Sequence, residues 1–189
     1  MLPQRVKNRR KPLIQESRIP AVALAALVVM AFAAVATWMC RLAPPPPIPR
    51  ADLVVVHKAM RRLDLYQQGK LLRSYVVSLG PDAVGAKWQE GDGKTPEGEY
   101  RIDYRKQDST FHRALHISYP EPKDSAIAKA HGVSPGGLVM IHGTKNGLSQ
   151  KGQERLAPDW TDGCIAVTNQ EIDEIWQMVP DGTKVALKP

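Results

Sequence analysis

Residues 160–167 read Trp160-Thr161-Asp162-Gly163-Cys164-Ile165-Ala166-Val167, a polar turn led by glycine that runs straight into a short apolar strand. A glycine just before a thiol lets the chain bend sharply and lets backbone amides approach whatever the sulfur attacks, as an oxyanion hole requires. A thiol also needs a proton acceptor, and a histidine at the end of a neighbouring strand is the usual supplier. Upstream, Leu138-Val139-Met140-Ile141-His142 is an apolar strand ending in such a histidine, fed by the turn Pro135-Gly136-Gly137. Cys164 is therefore the candidate nucleophile and His142 its candidate base. Without the glycine turn the same pair reads as a small buried hydrophobe and an unrelated strand-end histidine.

Outward from this centre the chain reads as strands. Asp52 to Val56 is a short apolar run, Arg62 to Tyr66 alternates, Gln67-Gln68-Gly69-Lys70 is a turn, and Leu71 to Ser78 returns, which makes a hairpin. The turn formers between Gly80 and Gly98 predict a long loop leading into a strand over Glu99 to Tyr104. Phe111 to Ser118 alternates and puts His112, Ala114, His116 and Ser118 on one face. Asp124 is placed to cap a short helix through Ala130. After Cys164, Thr168 and Glu171 form a capping-box pattern ahead of Ile172, Ile175, Trp176 and Val179, the spacing of one amphipathic helix. Pro180-Asp181-Gly182 ends it, and Lys184 to Leu187 closes the domain as a strand. The expected fold is mainly β with a few helices, a β-rich α+β domain whose sheet is curved and mostly antiparallel.

The combination of Ile141-His142-Gly143-Thr144 with Thr161-Asp162-Gly163-Cys164-Ile165-Ala166-Val167 resembles the L,D-transpeptidase catalytic domain, often called the YkuD domain. The resemblance runs over nearly all of Asp52 to Leu187 and takes in Lys94-Thr95-Pro96-Glu97-Gly98, Leu115-His116-Ile117-Ser118-Tyr119-Pro120 and Pro135-Gly136-Gly137. That family has a histidine–glycine pair and then a Ser/Thr-His-Gly-Cys stretch continued by Ile/Val-Arg. Thr161, Gly163, Cys164, Ile165, His142 and Gly143 match, whereas Asp162 stands in place of the histidine and Ala166 in place of the arginine.

The resemblance implies a curved β-sandwich and a cysteine acyltransferase acting on peptidoglycan stem peptides. By it, His142 would take the Cys164 proton while a backbone carbonyl near Gly143 holds its other ring nitrogen. The amides of Gly163 and Cys164 would hold the oxyanion, with Gly143 and Thr161 orienting the site. His116 and Asp162 would be pocket residues, and the charge of Asp162 would oppose thiolate formation. A thioester on Cys164 resolved by an amine is a transpeptidase. The same thioester resolved by water makes an amidase or L,D-carboxypeptidase, a reading that the loss of a bidentate guanidinium at Ala166 keeps open. A non-catalytic wall-binding module is the third alternative, and a wall-attached protein is a further expected acceptor or substrate. No metal and no cofactor is expected, because His112, His116 and His131 lack ligand spacing and Gly91-Asp92-Gly93 lacks the context of a phosphate loop.

The 189 residues carry a net charge of +7. Arg5, Lys7, Arg9, Arg10, Lys11 and Arg18 against Glu16, with Arg41 and Arg50, account for that whole surplus. From Ala51 onward charges cancel, so nucleic acid is not an expected partner. Residues 1–18 read as a basic cytoplasmic tail. Residues 19–40 are free of charged side chains and long enough to cross a bilayer, with the basic flank inside, so the rest is exported across the bacterial inner membrane. An uncleaved anchor is expected, and cleavage as a signal peptide near Ala34-Val35-Ala36 is the alternative. Residues 41–50 form a Pro-rich spacer and residues 51–189 the catalytic domain, in which Cys164 is the sole thiol. The segment Gly147 to Pro158 between base and nucleophile is long enough to act as a lid.

Overall fold

The computed structural model describes residues 21–42, 46–148 and 157–189. The basic tail, the first two residues of the apolar segment, part of the proline-rich spacer and residues 149–156 of the expected lid lie outside the described residues. The chain divides into two compact units, residues 1–46 and 47–189. In the first, α1 (Ala21–Leu42) is a continuous helix of 22 residues. Its stretch Val22–Met39 has a mean hydropathy of 2.3, which by length and composition suits a membrane span or a signal sequence alike.

The second unit is built from β1 (Leu53–His57), β2 (Arg62–Gln67), β3 (Lys70–Val76), β4 (Gly98–Ser109), β5 (His112–Ile117), α2 (Pro122–Ala130), β6 (Met140–His142), β7 (Ile165–Ala166), α3 (Asn169–Met178) and β8 (Lys184–Lys188). The strands form one mixed sheet in the order β3-β2-β1-β8-β4-β5-β6-β7. The β-rich class with few helices is thus what the strand periodicity predicts. Two pairs are parallel, β1 with β8 and β6 with β7. The sheet bends at β4, which pairs with β8 through Gly98–Arg101 and with β5 from Ile102 onward, with irregular register between Ile102 and Tyr104.

The local chemistry explains most element ends. Gln68 and Gly69 both have positive φ (50° and 77°), the two-residue geometry whose twist matches a right-handed hairpin, so β2 and β3 each reach one residue further into the expected turn. β4 runs to Ser109 rather than Tyr104, because Arg105 and Lys106 are held by ladder pairing with β5 and not by burial, which leaves no alternation to read. In α2 the cap is Glu121 and not Asp124. Pro122 starts the helix, which moves Asp124 to the third position, where its Oδ2 accepts from the Glu121 amide at 2.9 Å. α3 keeps its expected cap, Thr168 Oγ1 accepting from the Glu171 amide. One core cluster joins Ile172, Ile175 and Met178 of α3 to Leu115, Ile141 and Ile165 of the sheet, so the short strands β6 and β7 are backed by a helix.

The long loop between β3 and β4 is pinned from beneath by a buried lysine. Lys58 is 1% exposed, and its Nζ donates to the Thr95 carbonyl at 2.9 Å, to Glu97 Oε1 at 2.8 Å and to the Gly85 carbonyl. An ammonium so far from water persists only with its donors satisfied. Replacing it as Lys58→Ala strands those acceptors, and we expect a loss of about 3 kcal/mol in unfolding free energy. Urea denaturation of the protein checks this, and a change below about 0.5 kcal/mol would refute the pinning role.

Candidate active site

The parallel pairing of β6 with β7 sets Ile141 beside Ile165 and His142 beside Ala166. Side chains alternate along a strand, so Cys164, two residues before Ala166, is directed to the face that carries His142. Both residues line one cavity of about 250 Å³, together with Tyr104, Lys106, Phe111, Ala114, Leu138 and Met140. Cys164 also lines a second cavity of about 270 Å³, whose walls include Lys87, Glu90, Gly137 and Asp162. The sulfur therefore sits where two clefts meet.

The thiol is half-buried and unpaired. Its Sγ–H donates to the Leu138 carbonyl at 3.5 Å. Burial pushes its pKa above the ordinary value, and the charge of Asp162 adds to the rise. The Met140 backbone, hydrogen bonded to the sulfur, and the nearby charge of Lys87 work in the opposite direction without reversing it. Lys87 is itself buried and tied to Asp92 Oδ1 at 2.7 Å.

His142 is 3% exposed. Its Nδ1 lies 2.7 Å from the Gly143 carbonyl. A carbonyl can only accept, so Nδ1 carries the proton and Nε2 is left with a free lone pair. Burial pulls the imidazole pKa below its ordinary value, only partly offset by the Gly143 carbonyl. Phe111 packs against the ring at 4.5 Å between centroids and Trp160 at 5.7 Å, forming an aromatic wall. Cys164 and His142, which line the same cavity, thus both favour their neutral forms.

The turn that carries Cys164 admits no side chain before it. Gly163 has φ 114°, and a Cβ there would run into the Lys94 carbonyl. Thr95 Oγ1 donates to the Gly163 carbonyl at 3.0 Å and stitches loop to turn. Thr161 closes the turn from inside, its Oγ1 donating to the Cys164 carbonyl at 2.8 Å and accepting from the Gly163 amide at 3.2 Å. The Gly163 amide, expected to face an oxyanion, is thereby engaged by Thr161 in this structure. Gly143 packs so tightly on Asn169 and Ile172 of α3 that it too has no space for a side chain.

His116 does not line either cavity. Its Nδ1 is 2.6 Å from Asp103 Oδ1 and its ring stacks on Tyr104, so it supports the neighbouring strand pair. Asp162 is exposed at the rim of the second cavity. Ala166 is fully buried, and its amide and carbonyl both bond to Ser78, at 2.8 and 2.9 Å. Sequence reasoning missed Lys87, Lys106, Phe111 and Leu138 because they enter from separate elements with no motif spacing. Trp160, at the head of the motif, was legible as an aromatic but not as a wall for His142. Among the described residues no group of three or more His, Cys, Asp or Glu is placed to hold a metal ion.

The sequence model of the family described as the L,D-transpeptidase catalytic domain, YkuD, matches residues 51–187. YafK of Escherichia coli (strain K12), named as a candidate L,D-transpeptidase, is 36% identical over 132 residues, which cover 67% of this chain and 46% of that protein. YqjB of Bacillus subtilis (strain 168), named in the same way, is 26% identical over 145 residues, 75% of this chain and 73% of its own length. The solved structure of Pgp2 from Campylobacter jejuni, described as a helical cell shape determining protein, aligns with a TM-score of 0.58 at 28% identity, over 75% of this chain and 49% of that one. The chain therefore spans about half the length of YafK and of Pgp2.

The resting charge state is open to direct measurement. Alkylation of Cys164 by iodoacetamide follows the thiolate, so its pH profile should have a midpoint above the ordinary 9.0. Asp162→Asn removes a negative neighbour and should move that midpoint down. A wild-type midpoint near neutrality, or an upward move in the variant, would contradict the assigned electrostatics.

Proposed function

Since the chain belongs to the YkuD family of L,D-transpeptidase catalytic domains, we propose that it is a cysteine acyltransferase that cross-links peptidoglycan stem peptides through a thioester on Cys164. The observation that carries this reading is the placement of one thiol at the junction of two clefts, with a neutral histidine of fixed tautomer lining one of them. Acyl transfer between two peptides needs that arrangement: one cleft for the acyl donor's body, one for the group that leaves and the amine that replaces it.

The chemistry starts from neutral partners. The Cys164 sulfur attacks the carbonyl of the L-centred residue that precedes the terminal D-alanine, and the thiol proton passes to His142 Nε2 as the C–S bond forms. The Cys164 amide is the backbone donor best placed for the oxyanion, the Gly163 amide being held by Thr161. Collapse breaks the C–N bond, and His142 returns its proton to the departing amine. An acceptor amine then attacks the thioester, gives a proton to His142 and, through it, to the sulfur. The buried His142 needs no carboxylate behind it, since the Gly143 carbonyl fixes its tautomer.

A second reading replaces the acceptor amine by water and gives a hydrolase. What favours it is Ala166, which is sealed by Ser78 and offers no guanidinium for a substrate carboxylate. The N-terminal apolar helix, as anchor or export signal, would deliver either activity to the wall side of the inner membrane. A contribution to cell shape, stated by name for Pgp2, would follow from either.

Incubation with tetrapeptide muropeptides and intact-mass analysis tests the reading. A thioester adduct on the wild type with loss of D-alanine is expected, and cross-linked dimers separate transfer from the shortened monomers of hydrolysis. Cys164→Ala should lower turnover by about 10³-fold or more while the fold persists, whereas a wall-binding module would be indifferent to it. Because His142 acts in its neutral form and its pKa lies below 6.5, kcat/KM should fall only as pH drops through that lowered value. A profile still rising between pH 7 and 8 would count against His142 as the base.

A further inference from the structure

The two clefts that meet at Cys164 differ in charge, and the difference bears on what the leaving group must look like. In the cleft without the histidine, the cation Lys87 is already paired with Asp92, while Glu90 and Asp162 add negative charge. Among the described residues that line the cleft with His142, Lys106 is the one side chain with a permanent positive charge, and none is acidic. Lys106 is exposed, and among the described residues no carboxylate lies within ion-pair distance of it. Its neighbours in β4 differ: Arg105 is bound to Asp181 on the other face, and Tyr104 is stacked on His116.

The sheet register sets this lysine on the face that carries His142. Lys106 pairs with Ala114, and Ala114 pairs with His142, so the three lie in one row across β4, β5 and β6 on the same face. With strands about 4.8 Å apart, the two outer members of that row are separated by about 10 Å. The small side chain of Ala114 between them raises no barrier, and the row forms the floor of the cleft. Proton return to the departing amine requires the leaving residue to lie in the His142 cleft. The carboxylate of a C-terminal amino acid sits one carbon beyond that amine, so it falls within the same cleft that Lys106 lines.

Resting on the acyl-transfer reading above, we propose that Lys106 is the specificity-determining cation of the His142 cleft, binding the free α-carboxylate of the departing C-terminal residue in place of a charge at position 166. A flexible ammonium with rotatable donors suits a carboxylate that enters as part of a substrate and leaves as part of a product. The selectivity it confers is for stems that end in a free carboxylate over stems whose terminus is blocked.

The test compares a tetrapeptide stem ending in a D-alanine carboxylate with the same stem ending in a D-alanine carboxamide, using intact-mass kinetics of thioester formation on the full chain in detergent. The wild type should form the thioester about tenfold or more faster at subsaturating carboxylate than at subsaturating carboxamide, a ratio typical of a charge-assisted hydrogen bond. Lys106→Gln should bring the two rates together by raising KM for the carboxylate with little change in the rate at saturation, and Lys106→Arg should keep the preference. A wild type that does not discriminate, or a Lys106→Gln variant that still does, overturns the proposal while leaving acyl transfer standing. No thioester with either stem would overturn the acyl-transfer reading itself, and this inference with it.

Discussion

Where the chain passes through Gly163, the Lys94 carbonyl stands so close that no side chain fits, and the rest of the site depends on that approach. The loop that delivers Lys94 is fixed from behind by the buried Lys58 and stitched to the turn by Thr95. The turn in turn fixes Cys164, since Thr161 bonds both the glycine amide and the cysteine carbonyl. A buried ammonium beneath the loop and the half-buried thiol thus belong to one mechanical chain. Rigid support of this kind is what the proposed nucleophile would need, because catalytic positioning tolerates little looseness.

The electrostatics of the pair follow from burial more than from charge. Desolvation raises the thiol and lowers the imidazole, so both effects favour the neutral forms. An unpaired thiolate invites oxidation. In the proposed reaction, a thiol that ionises only as it attacks would keep its reactivity latent until a carbonyl is seated, while Phe111 and Trp160 pack against the imidazole of His142.

Much of the fold was legible because strand periodicity and turn chemistry act locally. The hairpin of β2 and β3 and the capping box of α3 appear where the residues place them, and the strand before His142 does so over Met140–His142 alone. The misses share a cause. The outer half of β4 is polar on both sides, and ladder pairing alone keeps it extended. Leu138 was expected to open a strand, but its φ of 55° turns the chain at the cleft and brings its carbonyl to the thiol. His116 shares a strand face with Ala114, yet Asp103 and Tyr104 claim its ring. Pairing partners drawn from distant positions leave no trace in local pattern.

The sequence by itself determined the class of the domain, the nucleophile candidate with its glycine, the histidine proposed as its base, and an N-terminal segment able to engage a membrane, because each is written in neighbouring residues. Only the tertiary structure decided that one thiol borders two clefts, that His142 rests neutral with Nε2 free, that the Gly163 amide is engaged, and that Lys106 shares a row with His142. Those facts arise from strand register and burial. Both are set by how distant segments pack, and neither can be computed from the order of residues around a motif.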